Sequence, residues 1–240
     1  LANSFKVDGA GLPLANPHAV PVRQHENAPS NFPDRSDLDP RIDHTVGRVG
    51  VQYLDWGPAA PSWIRQLANG GPFIPIKNIH QNAERGTFMV SGGWGQVQSG
   101  KNILVMRYAD LLLMAAEAEV EVGTLAKALT YVNLVRVRAA NPAGFVTRNG
   151  QPEATYRVSP YPAFANQAAA RDIVRKERLL ELAMEGHRFY DLVRWGVAEQ
   201  VLNDFITREA PVRTHMAGAR FTAAEDNYLP IPEFVINQSG

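Results

Sequence analysis

Cysteine is absent from the 240 residues, which excludes disulfides, thiolate metal sites and cysteine nucleophiles. Net charge is absent too: 24 Lys and Arg stand against 24 Asp and Glu, so nothing in the balance draws the chain to nucleic acid or to an anionic bilayer. Long apolar runs are missing. The longest strictly apolar stretch, Leu111–Ala116, is far shorter than the about 20 residues of a membrane-crossing helix, and no signal segment opens the sequence. Lysine is scarce, at 5 residues beside 19 arginines. Because guanidinium suits bidentate, partly buried pairing, the excess points to structural networks before ligand sites.

What is present divides near residue 101. Residues 1–100 hold 12 of the 19 glycines, 10 of the 17 prolines and three of the four tryptophans, and read as a long irregular portion with short strands. Residues 101–240 carry helical periodicity. Helices are expected over about Asn102–Val122 and Leu125–Ala140, the second burying Leu125, Leu129, Val132, Val135 and Ala139. Only Gly123 and Thr124 separate the two, with Thr124 as N-cap. A third helix is expected from Gln167 to Glu185, with Ile173, Leu179, Leu180, Ala183 and Met184 on its core stripe. Its opposite face sets Arg171, Arg175 and Arg178 against Glu177, Glu181 and Glu185 at spacings that allow ion pairs along the helix. Gly186 ends it. A fourth helix is expected from Phe189 to about Ile206, with Leu192, Trp195, Ala198, Leu202 and Phe205 on one side, packing on the third as a hairpin. The chain closes with Pro232 in the first turn of a short helix through Val235, a tail expected to fold back on the body.

The run RDIVRKERLLELAMEGHRFYDLVRWG (Arg171–Gly196) resembles a segment near the C-terminus of SusD/RagB-family proteins, the surface-exposed nutrient-binding lipoproteins of the Bacteroidetes outer membrane. RYADLLLMAAEAEVEVG (Arg107–Gly123), LTYVNLVRVRAAN (Leu129–Asn141) and YLPIPEFVIN (Tyr228–Asn237) resemble other family segments, and LDPRIDHTVGRVGVQYLDWG (Leu38–Gly57) a loop of one branch. All occur in the family's order, so the resemblance covers most of residues 38–237. It implies a mainly α, SusD-like fold of tetratricopeptide-like helical hairpins with a long irregular portion, residues 1–100 and 101–240 together forming one domain. It also implies a C-terminal fragment of a longer precursor that would carry a lipid anchor, the chain's one link to the membrane, at the outer-membrane surface.

Catalytic readings fail one by one. Gly95 and Gly100-Lys101 are spaced almost as in a phosphate-binding loop, but Asn102 stands where a magnesium-binding hydroxyl is needed. A calcium loop counted from Asp37 meets Arg41, Ile42 and Arg48 at positions that require an acid or amide, a glycine and a bidentate glutamate. Asp39, Arg41 and Asp43 instead suit a turn directed by Pro40. Glu181, Glu185 and His187 could form an acid/base or metal cluster, yet Arg178 and Arg188 stand ready to neutralise them, and the resemblance makes this segment scaffold. The other histidines lack ligand spacing. No catalytic residue, metal site or cofactor is expected.

What remains is ligand binding. Sugars take aromatic faces together with carboxylates and amides on a preformed concave surface. Tyr53, Asp55 and Trp56 lie together in QYLDWG, and Trp94 sits in GGWG, where glycines allow close approach. These four are the expected ligand residues, with Trp63 and Phe73 as further candidates, although aromatics in such loops also serve as anchors. The resemblance implies capture of an oligosaccharide or other nutrient and delivery to a SusC-like TonB-dependent transporter. The alternatives are a helical-hairpin scaffold for protein partners and a glycoside hydrolase.

Overall fold

The computed structural model describes residues 1–22, 34–91 and 97–239. The chain falls into two compact units, Leu1–Glu185 and Gly186–Gly240. The compositional change near residue 101 is thus a change of secondary structure within the first unit.

Before that change the elements are short. The strands are β1 (Asp37–Leu38), β2 (Val46–Arg48), β3 (Phe73–Pro75), β4 (Met89–Ser91) and β5 (Val97–Ser99), with 3-10 turns and a single helical turn, α1 (Leu67–Gly70). After it come α2 (Tyr108–Val122), α3 (Leu125–Ala139), the strands β6 (Thr147–Arg148), β7 (Gln151–Pro152) and β8 (Thr155–Tyr156), and α4 (Gln167–Leu182). Among the described residues every sheet has two strands: β2 with β3, β4 with β5 and β6 with β7 antiparallel, and β1 with β8 parallel. Asn149 and Gly150, at φ 52° and 76°, form the two-residue turn between β6 and β7, since a tight hairpin requires positive φ at both central positions. The β1–β8 pairing is long-range and fastens Asp37 and Leu38 beside Thr155 and Tyr156.

The α2–α3 hairpin forms as its sequence leads one to expect. The Thr124 side chain accepts a bond from the Lys127 amide at 3.4 Å, and the Thr124 amide donates to Glu119 at 2.9 Å. Leu112, Leu113, Ala116 and Val120 of α2 pack with Ala128, Val132 and Val135 of α3 and Ala170 and Val174 of α4 into one core. Leu125 and Leu129 lie at its edge, partly buried. A second core joins Phe5, Leu38, Ile42 and Val46 to Leu180 and Ala183, so the C-terminal half of α4 holds the irregular portion.

Several expectations need correction. α2 begins at Tyr108, not near Asn102, because Arg107 has extended backbone, φ −122° and ψ 154°, while its side chain bonds Glu181 and Glu185. The expected fourth helix is two, α5 (His187–Arg194) and α6 (Ala198–Glu209), separated at Gly196, whose φ of 67° no helix accommodates. Within the second unit α5 and α6 are followed by α7 (Ala223–Asp226) and α8 (Glu233–Ser239). The Asn203 side chain clasps both the amide and the carbonyl of Phe221, at 2.9 and 2.8 Å. Leu192 and Ala198 are buried as expected. Trp195 is half-buried, with the guanidinium of Arg194 4.9 Å from its ring, rather than a core residue. Tyr228, Leu229, Ile231 and Phe234 are exposed.

Candidate functional site

Tyr53, Asp55 and Trp56 occupy one tight turn in which Leu54 takes φ 49° and the Trp56 amide bonds the Tyr53 carbonyl at 3.0 Å. Tyr53 is buried. Its hydroxyl donates to the Pro75 carbonyl at 2.5 Å, its ring meets Trp63 edge-on at 5.5 Å, and it lies so close to Gly47 that a methyl group there would stand 2.6 Å from the ring. Burial raises the Tyr53 phenol pKa. Asp55 accepts bonds from the amides of Asn82 and Ala83 at 2.5 and 2.8 Å, and those amide bonds hold its carboxyl below the usual range. Trp56 donates its indole N–H to the His80 carbonyl at 2.7 Å, and Arg85 lies 4.7 Å over its ring. Three of the four expected ligand residues therefore sit together, each with a bond that fixes the loops 53–57 and 75–83. Trp94 lies outside the described residues. Phe73 is partly buried against the second core.

A dense cluster of charge lies elsewhere, on the face of α4 whose spacing suggests ion pairs along the helix. Glu177 and Glu181 are buried, and their partners come from distant segments. Arg41 grips Asp39 through Nε at 2.9 Å and Nη2 at 2.6 Å, and reaches Glu177 at 3.0 Å and Glu181 at 3.4 Å through Nη1. Arg136, fully buried, pairs with Glu177, which also accepts the Tyr161 hydroxyl at 3.2 Å. Arg107 bonds Glu181 at 2.9 Å and both oxygens of Glu185 at 2.8 Å. Arg138 adds a 2.7 Å bond to Glu181, and Lys77 one to Glu185. Arg178, expected to pair along its own helix, meets Asp110 of α2 at 2.8 Å. The charged face is buried because α2, α3 and the irregular portion all pack around α4, so its acids need cations from those elements.

The acids of the 34–43 segment are held in the same way. Asp39 caps the turn Pro40–His44 by accepting the Arg41 amide at 3.0 Å, as the sequence suggests. Asp43 takes both Nε and Nη2 of buried Arg48 at 2.7 Å and the Tyr156 hydroxyl. Asp34 takes Lys6 at 2.7 Å.

Burial raises the Glu181 pKa, but Arg41, Arg138 and Arg107 outweigh it and leave the carboxyl below its ordinary range. Burial likewise raises Glu185, and the bonds from Arg107 and Lys77 bring it below that range. Unfolding returns both to about 4.3, so on acidification the unfolded chain takes up protons before the fold does. The stabilisation these two carboxylates provide is complete above that value and is lost as the pH falls through their lower folded values. The urea midpoint should hold from pH 7 to about pH 5 and then drop with acid, and the drop should be shallower in Glu181→Gln. The same acid profile in both proteins would contradict this assignment.

Beside the network lies a cavity of about 370 Å³, with Arg41, Lys77, Arg107 and Arg138 on its charged side and Ile103 and Leu104 on its apolar side. Two further lining residues, Asn78 and Met184, have positive φ, 64° and 65°. Asn tolerates this conformation. For Met184 it costs on the order of 1–2 kcal/mol, strain that the surrounding ion pairs hold in place.

A model of the SusD family matches residues 24–240. The chain belongs to the SusD family. Among similar proteins, SusD-like protein P25 of Formosa agariphila is 41% identical over 103 residues, covering 43% of this chain and 17% of that protein. SusD-like protein P2 of the same organism is 32% identical over 137 residues, 56% of this chain and 23% of that protein. A SusD superfamily protein from Bacteroides vulgatus matches with TM-score 0.56 and 22% identity, over 83% of this chain and 38% of that one. A SusD homolog from Bacteroides thetaiotaomicron gives TM-score 0.55 and 22% identity, over 83% and 39%. The fold is thus mainly α and SusD-like, and the chain matches well under half the length of these relatives.

The SusD-like segments converge on the ion network. Arg107 precedes α2, Arg136 and Arg138 lie in VRVRAA, Glu177 to Glu185 in the α4 run, and Asp39 and Arg41 in LDPRID. The sequence did not reveal these partners of Glu177 and Glu181. The available signal was Arg136, which directly follows Val135 of the buried stripe. Among the described residues, no group of three or more His, Asp or Glu is placed to hold a metal, and no helix is long and apolar enough to cross a membrane.

Proposed function

We propose that this protein captures a nutrient, an oligosaccharide, at the surface of the outer membrane and passes it to a SusC-like TonB-dependent transporter. Membership of the SusD family over residues 24–240 carries this reading. The step is reversible binding, with no bond broken. A hydrolase acting on glycosides needs one carboxyl held protonated as general acid, and in the network Glu181 and Glu185 are instead stabilised as anions. In this reading the lipid anchor belongs to the full-length precursor.

For ligand contact we assign Trp56 and Trp94, with Tyr53 and Asp55 positioning the loop that carries Trp56. The half-buried Trp56 ring supports this choice, whereas Tyr53 is buried against Gly47. A second reading, a scaffold for protein partners, has the exposed run Ile103–Met106 in its favour.

A titration of the purified chain with a panel of neutral and acidic oligosaccharides, followed by tryptophan fluorescence, separates the readings. Saturable binding to at least one glycan is expected, weakened about tenfold or more when Trp56→Ala or Trp94→Ala removes a stacking face. A chain that responds to no glycan yet co-purifies with protein partners would favour the scaffold. Release of reducing sugar would favour the hydrolase.

A further inference from the structure

The network beside the cavity carries more positive than negative charge. Arg41, Arg107, Arg136, Arg138 and Lys77 face the carboxylates of Asp39, Glu177, Glu181 and Glu185, five cations against four anions. The imbalance is greatest at Arg138. Arg41 has all three guanidinium nitrogens bonded to carboxylates, as has Arg107. Arg136 is fully buried. Arg138 gives only Nη2 to Glu181, has no other side-chain hydrogen bond among the described residues, and leaves 59% of its side chain exposed at the cavity wall.

We propose that this cavity binds the carboxylate of an acidic saccharide, a uronic acid unit, with the anion on Arg138 and a face of the sugar ring against Ile103 and Leu104. The volume, about 370 Å³, lies within the range of small-molecule sites, about 300–1,000 Å³. The surplus of one charge matches a monoanion. A dianion such as a phosphate ester would overshoot it and face Glu181 and Glu185, both of which line the cavity. A neutral sugar would leave the surplus unanswered, and bonds from guanidinium to a charged acceptor are about twice as strong as neutral ones. Ile103 and Leu104, 88% and 63% exposed, offer apolar surface for the carbon-rich face of a ring. This deepens the proposed nutrient capture by naming the class of ligand, and it rests on that reading for the saccharide that carries the carboxylate.

Calorimetric titration of the chain with digalacturonate, with neutral galactobiose and with sodium sulfate tests it, in the original protein and in Arg138→Gln, Arg138→Lys and Trp56→Ala. Digalacturonate is expected to bind at least about tenfold more tightly than galactobiose, to lose about that factor in Arg138→Gln, and to regain part of it in Arg138→Lys. Raised salt should weaken it. Arg138 is largely exposed, so Arg138→Gln should fold, and its melting temperature is read alongside; should it unfold, Arg138→Lys and the salt series carry the test. Equal affinity for the acidic and neutral disaccharides, digalacturonate binding unchanged in Arg138→Gln, sulfate binding as tightly as digalacturonate, or no digalacturonate binding would each overturn the proposal. Neutral glycan binding lost in Trp56→Ala, together with digalacturonate binding unchanged in Arg138→Gln, would leave nutrient capture standing while this inference fell.

Discussion

Glu177→Ala should lower the stability of the protein by about 3–5 kcal/mol, the usual cost of leaving a buried charge without its partner. Glu177 is fully buried and receives Arg136, Arg41 and the Tyr161 hydroxyl. Without the carboxylate, Arg136 still donates to the carbonyls of Ser159 and Gly11, but its charge has no counter-ion in the interior. Arg41 keeps Asp39, so the damage centres on Arg136. A double variant, Glu177→Leu with Arg136→Met, removes both charges and fills their space, and should recover much of the loss, because well-packed apolar groups can replace a buried ion pair at little cost. Urea unfolding of the three proteins checks this. A double variant less stable than Glu177→Ala would show that the bonds from Arg136 to the Ser159 and Gly11 carbonyls matter more than its charge.

The second large effect is expected at Asp43. Arg48 is fully buried and bonded to Asp43 through two nitrogens, and Tyr156 donates its hydroxyl to the same carboxylate. Asp43→Ala strands both and should also cost about 3–5 kcal/mol. Tyr156→Phe removes one bond, keeps the Arg48 pair intact and should cost about 1 kcal/mol. The contrast matters because Tyr156 belongs to β8, whose pairing with β1 ties the 34–48 segment to the rest of the first unit. Denaturant midpoints measured on both variants would decide it. Equal losses would mean that the tyrosine bond, rather than the arginine charge, holds the segment.

The helical hairpin was readable because its causes are local. Thr124 caps α3, Gly123 ends α2, and Leu112, Ala116, Val132 and Val135 recur at helical spacing. The start of α4 at Gln167 was readable from its helical periodicity, and the structure adds Asn166, which accepts the Ala169 amide as N-cap. The burial of its charged face was not readable, since Glu177 and Glu181 acquire their meaning from Arg41 and Arg136, which are remote in the chain. A one-dimensional pattern of alternating charge looks the same whether water or protein covers it. Arg107 departs in the opposite direction: the sequence leads one to expect helix from about Asn102, while the backbone at Arg107 is extended and its side chain makes long-range bonds. At the candidate ligand site, the grouping of Tyr53, Asp55 and Trp56 was legible from QYLDWG, but their partners Pro75, His80, Asn82 and Ala83 were not.

The wide separation of those partners also sets the order in which the protein can become stable during synthesis. Arg41 leaves the ribosome 136 residues before Glu177, a delay on the order of 10 s at about 5–20 residues per second. For that interval the 34–48 segment has its aspartates but lacks the α4 carboxylates, and Leu38 and Ile42 lack Leu180 as a packing partner. The irregular first portion therefore waits, exposed, for a helix made much later, and a truncated chain ending before Gln167 should be degraded rather than accumulate as a folded intermediate.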